Sequence, residues 1–198
     1  MRELYERQAT LKLKHIRSAI VVGLGGTGSW VALFLAMSGC ENLTLMDSDY
    51  LEPTNFNRLP YSYVTCLGKP KVEAAAELIK SLRPDCNVVT EGNANEYTLS
   101  LVEGKILFDC TDIAKIQDML YEWAAKQSKM RYVRCGYNGG SHLTITSRKA
   151  WLTGIERGHY EVVPSWVIPA AISAALAIFK AIYVPTFEFT GVIEDVSK

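Results

Sequence analysis

Six residues, Gly23-Leu24-Gly25-Gly26-Thr27-Gly28, join the apolar run Ser18–Val22 to a stretch with helical spacing. Glycines at such a junction let the chain turn tightly and bring backbone N–H groups against an anion. The start of the next helix adds its own unpaired N–H groups. Asp47 closes a second apolar run, Leu43–Met46, about 20 residues further on, where a carboxylate meets ribose hydroxyls. A turn that served packing alone would not require Asp47, so the pair reads as a site for an adenosine nucleotide. NAD, FAD, S-adenosylmethionine and ATP all fit that much. Two cations follow: Arg58, closing Asn55-Phe56-Asn57-Arg58, and Lys71, in Gly68-Lys69-Pro70-Lys71. One helix N-terminus largely satisfies a dinucleotide's pyrophosphate. Further cations on the same rim suit a triphosphate, whose reacting phosphorus gathers charge. Taken singly, each is an ordinary solvated charge; their combination is what points to chemistry.

The elements that must hold these residues read as alternating strands and helices. Continuous apolar runs ending at glycine or aspartate mark buried strands of a parallel sheet. Two fall at Ser18–Val22 and Leu43–Met46, and further strands are read at Asn87–Thr90, Lys105–Phe108 and Arg131–Cys135, with His142–Ser147 alternating beyond a turn at Asn138-Gly139-Gly140. Helical spacing covers Gly28–Ser38, Pro70–Leu82 with Pro70 in its first turn, and Ile113–Lys126, with a helical turn over Thr98–Glu103. The order predicts an α/β, Rossmann-like fold, a mainly parallel sheet with helices on both faces. One domain spans 1–198: an arm over 1–17, a nucleotide-binding core over 18–135, and an extension over 136–198 carrying a substrate loop, a packing helix and a tail.

Composition narrows the function classes. Twenty-one basic and 21 acidic residues leave no formal net charge, and 48% of residues are hydrophobic. A sequence-independent nucleic-acid binder would show a basic excess, so no nucleic-acid partner is expected. Five cysteines (Cys40, Cys66, Cys86, Cys110, Cys135) are odd in number and lack C-x-x-C spacing. With no secretory signal in the charged start, reduced thiols in the cytoplasm are expected. The apolar stretch Trp166–Tyr183 is broken by Pro169, Ser173 and Lys180 and is shorter than a bilayer core needs. It reads as a buried packing helix, not a membrane span.

Read in order, these motifs resemble the ThiF/MoeB/ubiquitin-activating-enzyme family. That family carries G-x-G-G-x-G, then D-x-D, N-x-x-R, K-P-K or Q-P-K, and D-C-x-D. This chain has Gly23–Gly28, Asp47 and Asp49, Asn55 and Arg58, Lys69-Pro70-Lys71, and Asp109-Cys110-Thr111-Asp112 at comparable spacings. The resemblance covers roughly residues 5 to 183 and is strongest over Ser18–Asp112. It implies that Gly23, Gly25, Gly26 and Gly28 hold phosphates, with Asp47 on the ribose and Asp49 beside it. It implies that Asn55, Arg58 and Lys71 stabilise charge at the α-phosphorus, and that Asp112 holds Mg²⁺. Tyr5-Glu6-Arg7-Gln8 resembles the family's N-terminal Arg-Gln element, which makes Arg7 a cation acting on a partner subunit's ATP.

The implied reaction is ATP-dependent adenylation of a carboxylate, usually the diglycine tail of a ubiquitin-like or sulfur-carrier protein, by a homodimer. Some relatives activate a peptide carboxylate or a modified nucleoside in tRNA. A carboxylate is already ionised at neutral pH, so no general base is required. The chain departs from the pattern in three places. Leu59 stands where relatives commonly carry glutamine, paired C-x-x-C motifs are absent so no zinc is expected, and no late-loop cysteine follows Cys135. Cys135 reads as a buried structural thiol, which leaves a thioester step unsupported. His142 and His159 read by default as satisfied surface or core histidines, and the loop Gly154–Val163 is a candidate lining for a partner's tail. Two other classes compete: a catalytically silent binding subunit, and an NAD- or FAD-dependent oxidoreductase. Arg58, Lys71 and Asp112 count against the second.

Overall fold

In the computed structural model, residues 6–7, 14, 16–102, 104–138, 142–149 and 165–192 are described. The loop Gly154–Val163 with His159, the turn glycines 139 and 140, and Tyr5 and Gln8 lie outside them. The strands are Ser18–Val22 (β1), Asn42–Met46 (β2), Asn87–Glu91 (β3), Ile106–Asp109 (β4) and Arg131–Asn138 (β5), followed by His142–Thr146 (β6) and Phe189–Val192 (β7). They form one sheet in the order β3-β2-β1-β4-β5-β6-β7. β3 to β5 pair in parallel, and β6 and β7 close the edge antiparallel. The helices are Gly26–Met37 (α1), Lys71–Leu82 (α2), Glu96–Ser100 (α3), Ala114–Lys126 (α4) and Val167–Ile182 (α5).

Strand side chains alternate between faces, so one strand feeds two cores. From β1, Ala19 and Val21 enter a large cluster with Val31 and Leu35 of α1, Val72 and Ile79 of α2, and Ala174 and Ile178 of α5. Ile20 and Val22 enter a smaller cluster on the other face, with Leu99 of α3 and Leu120 and Trp123 of α4. Burial on both faces is why β1 and β4 are apolar along nearly their whole length, whereas β3 at the sheet's edge is half-buried or exposed throughout. β1 also sits where the strand order reverses, between β2 and β4. The crevice outside the carboxyl ends at such a point is where an open α/β sheet takes its ligand.

Several boundaries shift from the predicted ones. α1 starts at Gly26 because Gly25 is its N-cap, and α2 starts at Lys71 with Pro70 as N-cap. The turn predicted over Thr98–Glu103 is α3, pulled earlier by Asn95, whose Oδ1 accepts from the Thr98 N–H at 3.0 Å. β5 runs to Asn138 because β6 folds back onto its last five residues. β7 has no counterpart among the predicted strands: it is four residues long, includes a glycine and pairs with β6. α5 packs on the sheet, with Ser173 Oγ donating to the Gly136 carbonyl at 3.1 Å. Among the described residues, no helix is long and apolar enough to cross a membrane.

Candidate active site

The glycine loop leaves β1 at Gly23, whose φ of +83° is left-handed and suits glycine alone. Gly28 is fixed by space: a Cβ there would overlap the Gly23 carbonyl oxygen. α1 therefore starts pressed against the end of β1. Its first turn holds no acidic residue and no side-chain cap, so its amides stay available to an anion. Above Gly25 a Cβ would meet nothing within 4 Å, whereas over Gly26 it would collide with the Tyr137 hydroxyl. The loop is thus open at Gly25 and walled by Tyr137 of β5.

Asp47 follows β2 directly. Its Oδ2 accepts from the Leu24 N–H at 2.5 Å and its Oδ1 from the Asp49 N–H at 2.7 Å. Burial raises its pKa, against the Lys71 charge and those two amides. A carboxylate has about four lone-pair positions. Among the described residues two are used, which leaves two able to accept from a ligand's hydroxyls.

The segment between β2 and α2 is pinned onto the glycine loop at several points. Tyr61 donates its hydroxyl to the Leu24 carbonyl, and Trp30 Nε1 of α1 donates to the Arg58 carbonyl at 2.8 Å. Lys71 Nζ meets Asp49 Oδ2 at 2.7 Å; the lysine side chain is 10% exposed and the aspartate 67%. Arg58 Nη1 donates to the Thr54 carbonyl at 2.6 Å and to Asn57 Oδ1 at 3.0 Å, leaving Nε and Nη2 uncommitted among the described residues. Asn55 is buried, its Oδ1 accepting from the Glu52 N–H at 3.1 Å. Leu59, in the position where glutamine is usual, is 4% exposed and belongs to the core, so it presents no polar group here.

The turn after β4 is shaped by Asp109, which is fully buried. Its Oδ1 accepts from the Thr111 hydroxyl at 2.8 Å and the Thr111 N–H at 3.1 Å, and its Oδ2 from the Tyr132 hydroxyl at 2.5 Å. Burial raises its pKa, while Tyr132, the Arg134 charge and Thr111 pull it down. Asp112, by contrast, is exposed. It does not cap the next helix: Ile113 is the N-cap of α4, and no side chain caps it. Among the described residues no three His, Cys, Asp or Glu side chains gather to hold a metal ion. Mg²⁺ arriving with phosphate oxygens and water needs only one or two carboxylates, and Asp112 suits that role.

Cys135 is buried, with its Sγ 3.5 Å from that of Cys110. Burial pushes the Cys110 thiol well up, which opposes nucleophilic use. Arg7 is exposed in a helical turn at the chain start. Tyr132, Arg134 and Tyr137, all on β5, join the site without having been expected there. Nothing in their spacing marks them, because only the β4–β5 register brings Arg134 opposite Asp109.

The chain matches the ThiF family over residues 1–179. It is 34% identical over 139 residues to the tRNA threonylcarbamoyladenosine dehydratase of Haemophilus influenzae, covering 67% of this chain and 51% of that protein. Over 120 residues it is 31% identical to the molybdopterin-synthase adenylyltransferase of Escherichia coli, covering 59% and 47% respectively. The solved structure of the Escherichia coli tRNA threonylcarbamoyladenosine dehydratase TcdA with AMP aligns with a TM-score of 0.63 at 27% identity, covering 70% of this chain and 61% of that one. The chain spans about half the length of the curated relatives it matches. The parallel sheet, the glycine loop at its switch point and the match over residues 1–179 agree, and the chain belongs to the ThiF family.

Proposed function

We propose that this chain binds Mg–ATP and adenylates a carboxylate, releasing pyrophosphate. The carrying observation is that the uncapped start of α1, Asp47, Asn55, Arg58 and Lys71 surround one rim at the carboxyl ends of β1 and β2, with Asp112 at the end of β4. A substrate carboxylate oxygen forms a bond to the α-phosphorus while the bond from that phosphorus to the oxygen bridging to the β-phosphorus breaks. The products are an acyl-adenylate and pyrophosphate. Asp47 and the Gly23–Gly28 amides hold the nucleotide, and Arg58, Lys71 and Asn55 offset the charge growing on the phosphoryl oxygens. Mg²⁺ at Asp112 would screen the phosphates when bound.

The substrate reading is the C-terminal glycine of a ubiquitin-like or sulfur-carrier protein. The similarity to a molybdopterin-synthase adenylyltransferase supports it, and the similarity to a tRNA dehydratase points to a nucleoside carboxylate as the competing substrate. The reading extends to one adenylation domain over 1–198, acting as a homodimer in the cytoplasm. The outward apolar side chains Ile168, Phe179 and Tyr183 of the α5 region support a dimer face, and the five free thiols suit a reducing compartment. ATP–pyrophosphate exchange in the presence of small diglycine-tailed proteins tests the proposal. Exchange dependent on the tail supports it. ATP binding without exchange for any carboxylate would mark a silent subunit, and tighter binding of NAD than ATP would overturn the nucleotide assignment.

A further inference from the structure

A cavity of about 250 Å³ lies at the amino ends of the central strands, the opposite end of the sheet from the glycine loop. Ile16, Arg17, Lys105, Ile106 and Arg131 line it. Each cation stands at the start of a different strand: Arg17 just before β1, Lys105 just before β4, and Arg131 as the first residue of β5. Sheet order makes these strands neighbours. The Lys105 N–H donates to the Ser18 carbonyl at 3.3 Å, and the Arg131 N–H to the Lys105 carbonyl at 3.0 Å. Adjacent strands are about 4.8 Å apart, so the backbone positions that carry the three cations lie within about 10 Å of one another.

The floor is apolar, with Ile106 fully buried and Ile16 nearly so. Among the described residues no carboxylate lines the cavity. Carboxylates do reach cations elsewhere in this chain: Lys69, Lys71, Arg83, Lys126, Lys149 and Lys180 each meet one within 4 Å. Arg131 is anchored instead by Nη1, which donates to the Ala181 carbonyl at 2.5 Å at the end of α5. That bond limits the side chain's freedom and leaves Nε and Nη2 for a ligand. The chain as a whole is neutral, with 21 charges of each sign, so this concentration of positive charge is local.

We propose that this cavity binds a small phosphate-bearing anion, either inorganic phosphate or a short phosphomonoester, independently of the nucleotide site. Three clustered cations, two of them forked guanidinium groups, match a dianion with several acceptor oxygens. The isoleucine floor accepts a short carbon chain. A polynucleotide backbone would call for a basic excess across the chain, and the charge balance provides none.

The test is a titration of the isotopically labelled full chain with inorganic phosphate and with glycerol 3-phosphate, followed by backbone amide shifts. Saturable shifts at Ser18, Lys105, Ile106 and Arg131 are expected. In the double variant Arg17→Ala/Lys105→Ala the dissociation constant should rise at least about tenfold, with shifts at Gly23–Gly28 unaltered. Both side chains are exposed, so the variant should fold; Lys105→Gln alone, with a smaller loss, is the safeguard. Shifts confined to Gly23–Gly28, or equal affinity in the variants, would overturn the site. Tighter binding of a single-stranded RNA oligonucleotide than of glycerol 3-phosphate at these amides would overturn the ligand class.

Discussion

Lys71 and Arg58 sit on the proposed nucleotide rim under different constraints. Lys71 is buried along its stem and braced by exposed Asp49, so its ammonium is placed before any ligand arrives. Arg58 is held by its own loop through one nitrogen, which leaves Nε and Nη2 uncommitted among the described residues, as the proposed role requires. Replacing either by alanine should reduce pyrophosphate exchange by about 10²–10³-fold, the usual cost of removing one charge stabiliser. Unchanged urea unfolding would show that the loss is chemical. Asp112→Asn should behave likewise, and normal exchange in all three variants would refute the site. Gly28 is a different kind of residue, since its role is close approach. Gly28→Ala should destabilise the fold by about 1–3 kcal/mol through contact with the Gly23 carbonyl, read as a lower urea midpoint at unchanged slope.

At the scale of elements, the segment between β2 and α2 stays in place because side chains from three directions hold it. Trp30 ties it to α1, Tyr61 to the glycine loop, and Lys71 joins its two ends. The antiparallel edge is held in another way. Lys180, almost fully buried on α5, donates to the Pro185 carbonyl at 2.6 Å, to the Phe187 carbonyl, and to Glu188 at 3.1 Å. Burial alone would raise the Glu188 pKa, but Thr146, Lys180 and the Ser147 N–H together hold it below the usual glutamate value. A depressed acid stabilises the fold above its unfolded pKa and loses that contribution as pH falls through the folded one. Glu188→Gln should therefore cost about 1–2 kcal/mol at neutral pH. The gap from wild type should close below about pH 4.5, measured by urea unfolding across the range. A gap independent of pH would show that the ionised carboxylate is not responsible.

The whole-molecule question is whether each site borrows Arg7 from a second copy. A homodimer with Arg7 acting in trans predicts complementation. Arg7→Ala and Lys71→Ala are each expected to be inactive. In a mixed dimer one site carries both defects and the other carries neither, so equal mixing after subunit exchange should restore about a quarter of wild-type exchange. No recovery, with dimers confirmed by sedimentation, would place Arg7 in its own subunit's site or outside any site.

Much of this protein is legible in its residues alone. The strand ends at Val22, Met46 and Asp109 lie where apolar runs stop, because strands buried on both faces are built mainly from apolar residues. The glycine loop, Asp47 and the Asn55–Lys71 segment are legible because their chemistry is local: turn geometry, a helix start and charge within one stretch of chain. What depends on distant register is not. Tyr137 against Gly26, the Tyr132–Asp109 hydrogen bond with Arg134 opposite, and β7 exist only because β4, β5 and β6 pair where they do. The order of glycines between an apolar run and a helical stretch is enough to mark the loop as a candidate phosphate cradle. The fold determines which side of that loop stays open, at Gly25, and which is walled by β5. The physical reason is range: a turn is decided by its own residues, but the space above it is decided by whichever strand the sheet places alongside.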